Sequence, residues 1–504
     1  FSHLIIFFNA NKVNKKQLIV YSDIICIFEL MRRIFLFITV LMFFFVSCKK
    51  EKDTNNPSNV ADDHTIIQDQ YGRQLIRHGL NTSSGAKSTP GRMPWIEERH
   101  VEREAKDFGF NYVRYLVFWD AIEPEQDVFD PIYLDKVEER VNWYTSRGMH
   151  VMIDMHQDLY SLVFGGDGAP QWAIQTNGSA PIEMSGGTPW WVKNIDPAVI
   201  NSWINFWGYS KYKYLQDHYA LAWQKVMERF KNNPNIIGYD LMNEPWGGDL
   251  IKVFLTGEFE KVQLKAFYDR LIPKLRAIEP NKYFFFEPTP APVTFGAPSN
   301  LPKINDTRAT PHLVYAPHCY PFDTHEGTGY TASSKQQLKD WERERKKEIT
   351  KQGNIPLLCG EFGLSPTQAG YDQYLKDANA MFDRNLWHWA YWSNDQGGWS
   401  PFNGDAVMPL AQYLLRVFPH ATAGKINSFD FNPDTKVFNF SYKNNAAITK
   451  PTEIYIPQQF YPSGWNLNVT GTTNYTQTFD DATHILKLNV PENNADVIIE
   501  ITPK

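Results

Sequence analysis

Cysteine is scarce. Only Cys26, Cys48, Cys319 and Cys359 occur in 504 residues, too few and too scattered for a disulfide framework or a zinc site. Cys319 and Cys359 are expected to be buried free thiols, with a bridge between neighbouring strands as the other option. Positive charge is not in excess either. The net charge is −6, which leaves no electrostatic footprint for nucleic acid. Apolar runs are short: the one at residues 34–46 is too brief to span a bilayer comfortably. Aromatic side chains, in contrast, are plentiful. Sixteen Trp and 25 Tyr exceed what packing needs, and such rings also stack on sugar or lipid faces.

The first 62 residues read as export machinery. Residues 1–30 have no clean pattern and are expected to be an extension upstream of the start at Met31. MRRIFLFITVLMFFFVSC has a basic start, an apolar run and Ser47-Cys48, the layout of a secretory signal over 31–47. A small residue directly before Cys resembles the lipobox of bacterial lipoproteins. That resemblance makes Cys48 a lipidated first residue and the cell envelope the location, with a plain signal peptide as the alternative. Residues 48–62 are polar and are expected to form a flexible tether.

From residue 63 to about 420, short apolar runs alternate with longer helical patterns, as repeated βα units require. Eight strands are expected, at 75–81, 112–118, 150–156, 236–243, 283–287, 313–319, 355–361 and 386–392. Helices are expected at 97–108, 132–147, 211–231, 256–278, 334–352, 367–384 and 409–418, with no clear long helix in the Pro-rich gap 288–312. This order predicts an α/β fold, a closed (β/α)₈ barrel. After residue 420, seven short alternating runs at 426–431, 437–442, 452–456, 465–469, 474–479, 484–490 and 496–502 predict a β-sandwich over 421–504. No linker separates the two, which implies a fixed pairing.

The expected strand ends carry polar groups: Asn81, Arg114, His156-Gln157-Asp158, Asn243-Glu244, Glu287, His318 and Tyr320, Glu361, and Trp392 with Ser393-Asn394-Asp395. Buried polar groups cost free energy unless paired, so a ring of them is hard to explain as packing. IIGYDLMNEP and IPLLCGEFG each end an apolar run at a glutamate, Glu244 and Glu361. Two carboxyls across one barrel mouth suit glycoside hydrolysis. One, protonated, serves the leaving oxygen; the other, ionised, attacks the anomeric carbon when the two stand about 5–5.5 Å apart. Arg114 is the cation expected to keep Glu361 ionised, while Glu244 must hold its proton. Strict alternation would aim only one of Asn243 and Glu244 inward, so a twist or bulge is required there. Glu287 is expected to be structural or to face substrate. Asp154 and Asp240, deeper in their strands, are expected to support other site residues. No metal is expected: His156, His318 and a carboxylate lack metal-ligand spacing.

Arg114, His156, Asn243-Glu244-Pro245, His318-x-Tyr320, Glu361 in Gly-Glu-Phe-Gly, and Trp392 together resemble glycoside hydrolase family five. The resemblance implies Glu244 as acid/base and Glu361 as nucleophile, held by Arg114 and Tyr320. His156, Asn243, His318 and Trp392 would then contact the sugar at the cleaved bond. Asp-Met-His-Gln-Asp at 154–158, Gly-Ala-Pro-x-Trp-Ala at 168–173, Asn-Glu-Pro-Trp-Gly at 243–247 and SFDFNPDTKVFNFSY at 428–442 are similar to the endoglycoceramidases within it. Those enzymes release an intact glycan from ceramide, without a cofactor. By the same resemblance Asp158 and Lys87 bind the first sugar. The loop NTSSGAKSTPGRMPW at 81–95 departs from their pattern. A β-glucanase or mannanase of the same family and a non-catalytic glycan-binding lipoprotein are the competing readings. The insertion 159–210, with Trp172, Trp190, Trp191, Trp203 and Trp207, is expected to lack regular structure and to wall the cleft or to anchor itself on the barrel.

Overall fold

The computed structural model describes residues 65–183 and 188–504. The signal, Cys48 and the tether lie outside the described residues. Eight parallel strands form one sheet: His78–Asn81, Tyr112–Phe118, His150–His156, Ile236–Asp240, Tyr283–Phe286, Leu313–Tyr315, Leu358–Phe362 and His388–Tyr391. The first pairs with both the second and the eighth. The sixth and seventh are joined by isolated parallel bridges, Tyr315–Leu357 and Cys319–Phe362. The sheet thereby curls into the expected (β/α)₈ barrel.

Helices return the chain between most strands. Asp130 caps Pro131–Thr145 by accepting from the amides of Ile132 and Tyr133, with proline at the first helical position, where its missing N–H is no loss. Thr331 caps Ala332–Lys351 in the same manner. Inside the barrel, alternation sorts the side chains by depth. Tyr112, Met152, Phe285, Val314 and Leu358 belong to one inner apolar cluster. Two or more residues further along the same strands, Arg114, Asp154, Glu287, His318 and Glu361 rise towards the carboxyl ends, where barrel chemistry is built.

Several expectations are corrected. The run 75–81 divides. Gln74–Leu75 leaves the barrel and pairs antiparallel with Phe418–Thr422, and only His78–Asn81 is a barrel strand. The expected helix 409–418 shrinks to Ala411–Leu414, because the chain has already entered the strand Phe418–Thr422. The fourth strand stops at Asp240 rather than 243, and the sixth at Tyr315. The insertion is not without structure: Pro197–Trp207 is an α-helix. Its Trp203 and Trp207 are buried against Tyr160, Phe206 and Phe267, so they anchor the insertion.

Two antiparallel sheets form the C-terminal sandwich. One runs Gln74–Leu75, Phe418–Thr422, Thr452–Tyr455, Ile485–Asn489, Thr476–Asp480; the other runs Gly424–Phe431, Phe438–Asn444, Asp496–Pro503, Trp465–Thr470. The sandwich is tied to the barrel by polar contacts. Tyr455 donates to the carbonyl of Lys106 (3.0 Å), Gln459 to that of Asp107 (3.0 Å), and Arg416 pairs with buried Asp383. Gly109 has φ +63° and would drive a Cβ to 2.3 Å from the Tyr455 ring, so this contact requires glycine on both counts. Cys319 and Cys359 are free and buried.

Candidate active site

Both glutamates stand where the strand period breaks. The fourth strand has ended by Asp240, and Glu244 lies on a bend at φ +41°, a conformation rare for residues other than glycine and concentrated at functional sites. This resolves the alternation difficulty: Asn243 and Glu244 are no longer on a pleated strand. On the seventh strand the register slips between Cys359 and Phe362. Leu358 belongs to the inner cluster and Phe362 to the outer one. The slip gives Glu361 the inward direction that Gly360 would otherwise hold alone. Gly360 also has no room for a side chain, since a Cβ would meet the His318 ring at 2.9 Å.

Arg114 is fully buried and organises the floor. Its Nη1 donates to Glu361 Oε1 (2.9 Å) and Asn81 Oδ1 (3.1 Å). Nη2 donates to Asn243 Oδ1 (2.8 Å) and Glu287 Oε1 (3.0 Å). Asp240 lies 3.0 Å from Nε and Asp154 3.0 Å from Nη2. Asn81 also ties the first strand to the seventh and eighth through the carbonyls of Gly360 (2.9 Å) and Ala390 (3.3 Å). Tyr320 donates to Glu361 Oε2 at 3.0 Å. Glu361 therefore has both oxygens fixed. Burial pushes its pKa up, while His318 and Arg114 pull it down and Glu244 adds to the rise. The net direction is upward, so Arg114 offsets only part of the cost of burying this charge.

His318 stands between the carboxyls. Its Nδ1 lies 2.8 Å from Glu244 Oε1 and 3.5 Å from Glu361 Oε2, and its Nε2 lies 3.2 Å from Glu287 Oε1. Burial opposes its positive charge, but Glu287 and Glu361 outweigh that and hold its pKa well above the ordinary value. Glu287 is pushed up to about 8 by burial, against the pull of His318. Both groups are thus pushed towards their protonated forms. Glu287 Oε2 also accepts the backbone N–H of Glu244 at 2.9 Å, fixing the bend. Gln157 supports the same bend from the other side, donating to the carbonyls of Asn243 and Glu244 at 2.9 Å each.

The remaining expected residues line one continuous row. His156 donates or accepts at Asp154 Oδ2 (2.7 Å) and stacks on Trp392 at 5.5 Å between ring centres. Its Nε2 makes no hydrogen bond within the protein. Lys87 sits 4.2 Å above the Trp392 ring and 2.5 Å from Asp158 Oδ2. Burial opposes the Lys87 charge and Asp158 outweighs it, so its pKa rises; burial is likewise outweighed at Asp158, whose pKa falls. Asn243 gives one N–H to the carbonyl of Gln157 (3.0 Å), which leaves its second N–H. Thus Arg114, Asn243, Glu244, His318, Tyr320 and Glu361 meet at one point, and His156, Trp392, Asp158 and Lys87 extend from it. Glu287 takes the structural place expected of it; for Gln157 the only signal in sequence was its place at a strand end.

An oxygen of Glu244 lies within 4.8 Å of one of Glu361. That spacing suits direct attack with a covalent intermediate, whereas inversion needs roughly 6.5–9.5 Å to admit a water. Glu361 is the better held, and Glu244, with a side chain 20% exposed, is the freer to exchange protons. A barrel with this pair at its mouth is a glycoside hydrolase of the retaining kind.

Comparison with known proteins agrees. The family model for cellulase (glycosyl hydrolase family 5) matches residues 69–398, and that for the glycoside hydrolase family 5 C-terminal domain matches 416–502. The chain belongs to glycoside hydrolase family 5. It is 31% identical to endoglycoceramidase I of Rhodococcus hoagii (strain 103S), over 81% of this chain and 82% of that protein. The solved endo-glycoceramidase II from Rhodococcus sp. is 35% identical, covering 87% of this chain and 99% of that one, with a TM-score of 0.80. A structure of the same enzyme as a lactosyl–enzyme intermediate aligns at 34% identity over 87% and 99%, with a TM-score of 0.79.

Proposed function

We propose that the chain is a retaining endo-β-glycosidase that cuts the bond between glycan and ceramide in glycosphingolipids. The carrying observation is the close pair Glu244 and Glu361, with only the latter locked by Arg114 and Tyr320. Glu361 attacks the anomeric carbon while Glu244 protonates the departing ceramide oxygen. Glu244 then takes a proton from water, which releases the glycan with retained configuration. The lipid end is supported by the rim. Leu162, Val163, Ile251 and Leu255 follow the third and fourth barrel strands and are each about half exposed or more, which leaves aliphatic side chains available on the loops at the carboxyl ends of those strands. Attachment of this enzyme to the cell envelope through a lipid on Cys48 is part of the proposal, supported by the sequence before that cysteine.

The test is product analysis on a glycosphingolipid in detergent, using the chain from residue 48 onward. An intact oligosaccharide and free ceramide are expected, and neither with Glu361→Gln. Release of monosaccharide, or oligomers from a polysaccharide but nothing from the glycolipid, overturns the assignment. Globomycin-sensitive processing and labelling by a fatty-acid probe, both lost in Cys48→Ser, test the anchor.

A further inference from the structure

The loops after the first and eighth barrel strands are joined by a clamp that takes no part in bond cleavage. Asp395 lies three residues beyond Trp392. Its Oδ1 accepts from the Ser83 hydroxyl (2.8 Å) and the Gly85 amide (3.4 Å). Its Oδ2 accepts from the hydroxyls of Ser84 (2.8 Å) and Ser393 (2.6 Å). A carboxylate has about four acceptor positions, and these donors fill them, so Asp395 has nothing left to offer a substrate. Its base is fixed as well. The amide of Asn394 donates to the carbonyl of Asn81 (3.0 Å), and its side chain donates to buried Glu104 (2.5 Å). The Trp95 indole donates to the Asn394 carbonyl (2.8 Å). The loop 81–95 thus hangs from Asn394 and Asp395 at both of its ends.

Lys87 is what the clamp carries. It closes the single turn Ser84–Lys87, whose only buried residue is Ala86. A lone 3₁₀ turn has little stability of its own, and one buried methyl adds little. Ser83 caps the turn by accepting from the Gly85 amide (3.1 Å) while its hydroxyl donates to Asp395. From this turn Lys87 reaches Asp158 at 2.5 Å and lies 4.2 Å over the Trp392 ring. We propose that Asp395 is a positioning residue for glycan binding: it suspends the Ser84–Lys87 turn from the loop that follows Trp392, and so sets the place where Lys87 meets the sugar. This role rests on the glycosidase reading above, in which Lys87 and Asp158 hold the first sugar, but not on ceramide as the leaving group. Ser83 and Ser84 lie in the loop 81–95, where the chain departs from the endoglycoceramidase pattern, so the way Lys87 is delivered is not carried over from that resemblance.

A double-mutant cycle on an aryl β-lactoside tests it. Asp395→Ala is expected to raise KM by about 10- to 100-fold, the worth of one hydrogen bond from a charged group such as Lys87, with kcat altered far less. Asp395→Asn is expected to restore part of that loss, because the serine hydroxyls can turn and accept from its amide. In a Lys87→Ala background, Asp395→Ala should cost no more than about twofold, since the two changes then remove one contact between them. Ser84→Ala, a milder change from the other side of the clamp, should move KM in the same direction and decides the matter if Asp395→Ala does not fold. Equal losses in the two backgrounds, or a fall in kcat with KM unmoved, overturn the proposal. A wild type that cleaves the lactoside and leaves glycosphingolipid intact loses only the ceramide assignment. A wild type that turns over no glycoside loses the glycosidase reading. Crystal structures of the wild type and Asp395→Ala then decide, and Lys87 in the same place over Trp392 in both overturns the positioning role.

Discussion

Glu287→Gln is the most informative single change in the site. Glutamine keeps the shape and can still accept the Glu244 amide through its carbonyl oxygen. Its NH₂ must then face Arg114 and the Nε2 of His318, which stand 3.0 and 3.2 Å from the present carboxylate. Donor would meet donor. The loss of one hydrogen bond to a charged group is about 1.5–3 kcal/mol, or about 10- to 100-fold in kcat. The pH profile should move as well. Glu287 is the largest influence raising the His318 pKa against burial. Removing its charge lowers that pKa, so His318, whose Nδ1 lies 2.8 Å from Glu244 Oε1, gives up its proton at lower pH. Glu244 must deliver a proton, so the alkaline limb of kcat/KM shifts to lower pH. A stopped assay on an aryl glycoside from pH 4 to 10 reads both effects. A slow variant with an unmoved alkaline limb would refute the coupling of Glu287 to His318. An unaffected rate would refute the positioning role altogether.

Two further outcomes follow from contacts already described, and a third from two buried histidines. Tyr320→Phe removes one hydrogen bond of 3.0 Å to Glu361 and should lower kcat by about 10- to 100-fold; burst kinetics should show that formation of the glycosyl–enzyme is the step slowed. Gln157→Ala frees the bend at Asn243 and Glu244 and should depress kcat more than the melting temperature, which calorimetry beside initial rates will show; an equal fall in both would make Gln157 structural. His388 and His420 lie at the barrel–sandwich boundary, and burial lowers both to about 3, with Arg77 adding to the effect. Folded-state values below the ordinary 6.5 mean that the unfolded chain binds more protons between those limits. The stability is present above pH 6.5 and is lost as pH falls towards 3, so the melting temperature should decline across that window; a flat profile there would contradict it.

The barrel was legible because eight apolar runs with helical patterns between them have few other solutions. The reacting pair was legible because a glutamate closing an apolar strand has little packing use. What sequence could not supply was contact at long range. Gln74–Leu75 reads as the start of a barrel strand, since periodicity carries no address for its partner, yet its partner is Phe418–Thr422. Glu287 looked like Glu244 and Glu361 as a third strand-end carboxylate. The mechanism needs only two carboxyls, which set Glu287 aside; the bond to the Glu244 amide and the facing Arg114 and His318 show what it supports. The inward turn of Glu361 depends on a one-residue slip that no alternation rule announces. In the insertion, Trp203 and Trp207 proved to be anchors because helix Pro197–Trp207 turns them into the barrel wall.

The short strand Gln74–Leu75 has a consequence for modularity. The sandwich completes its five-stranded sheet with residues encoded ahead of the barrel, so the two halves are interleaved in the gene although side by side in space. A swap of C-terminal domains between relatives, cut at one junction near residue 416, would leave the incoming domain hydrogen-bonding to a foreign edge. Shuffling that transfers both pieces together preserves the seam.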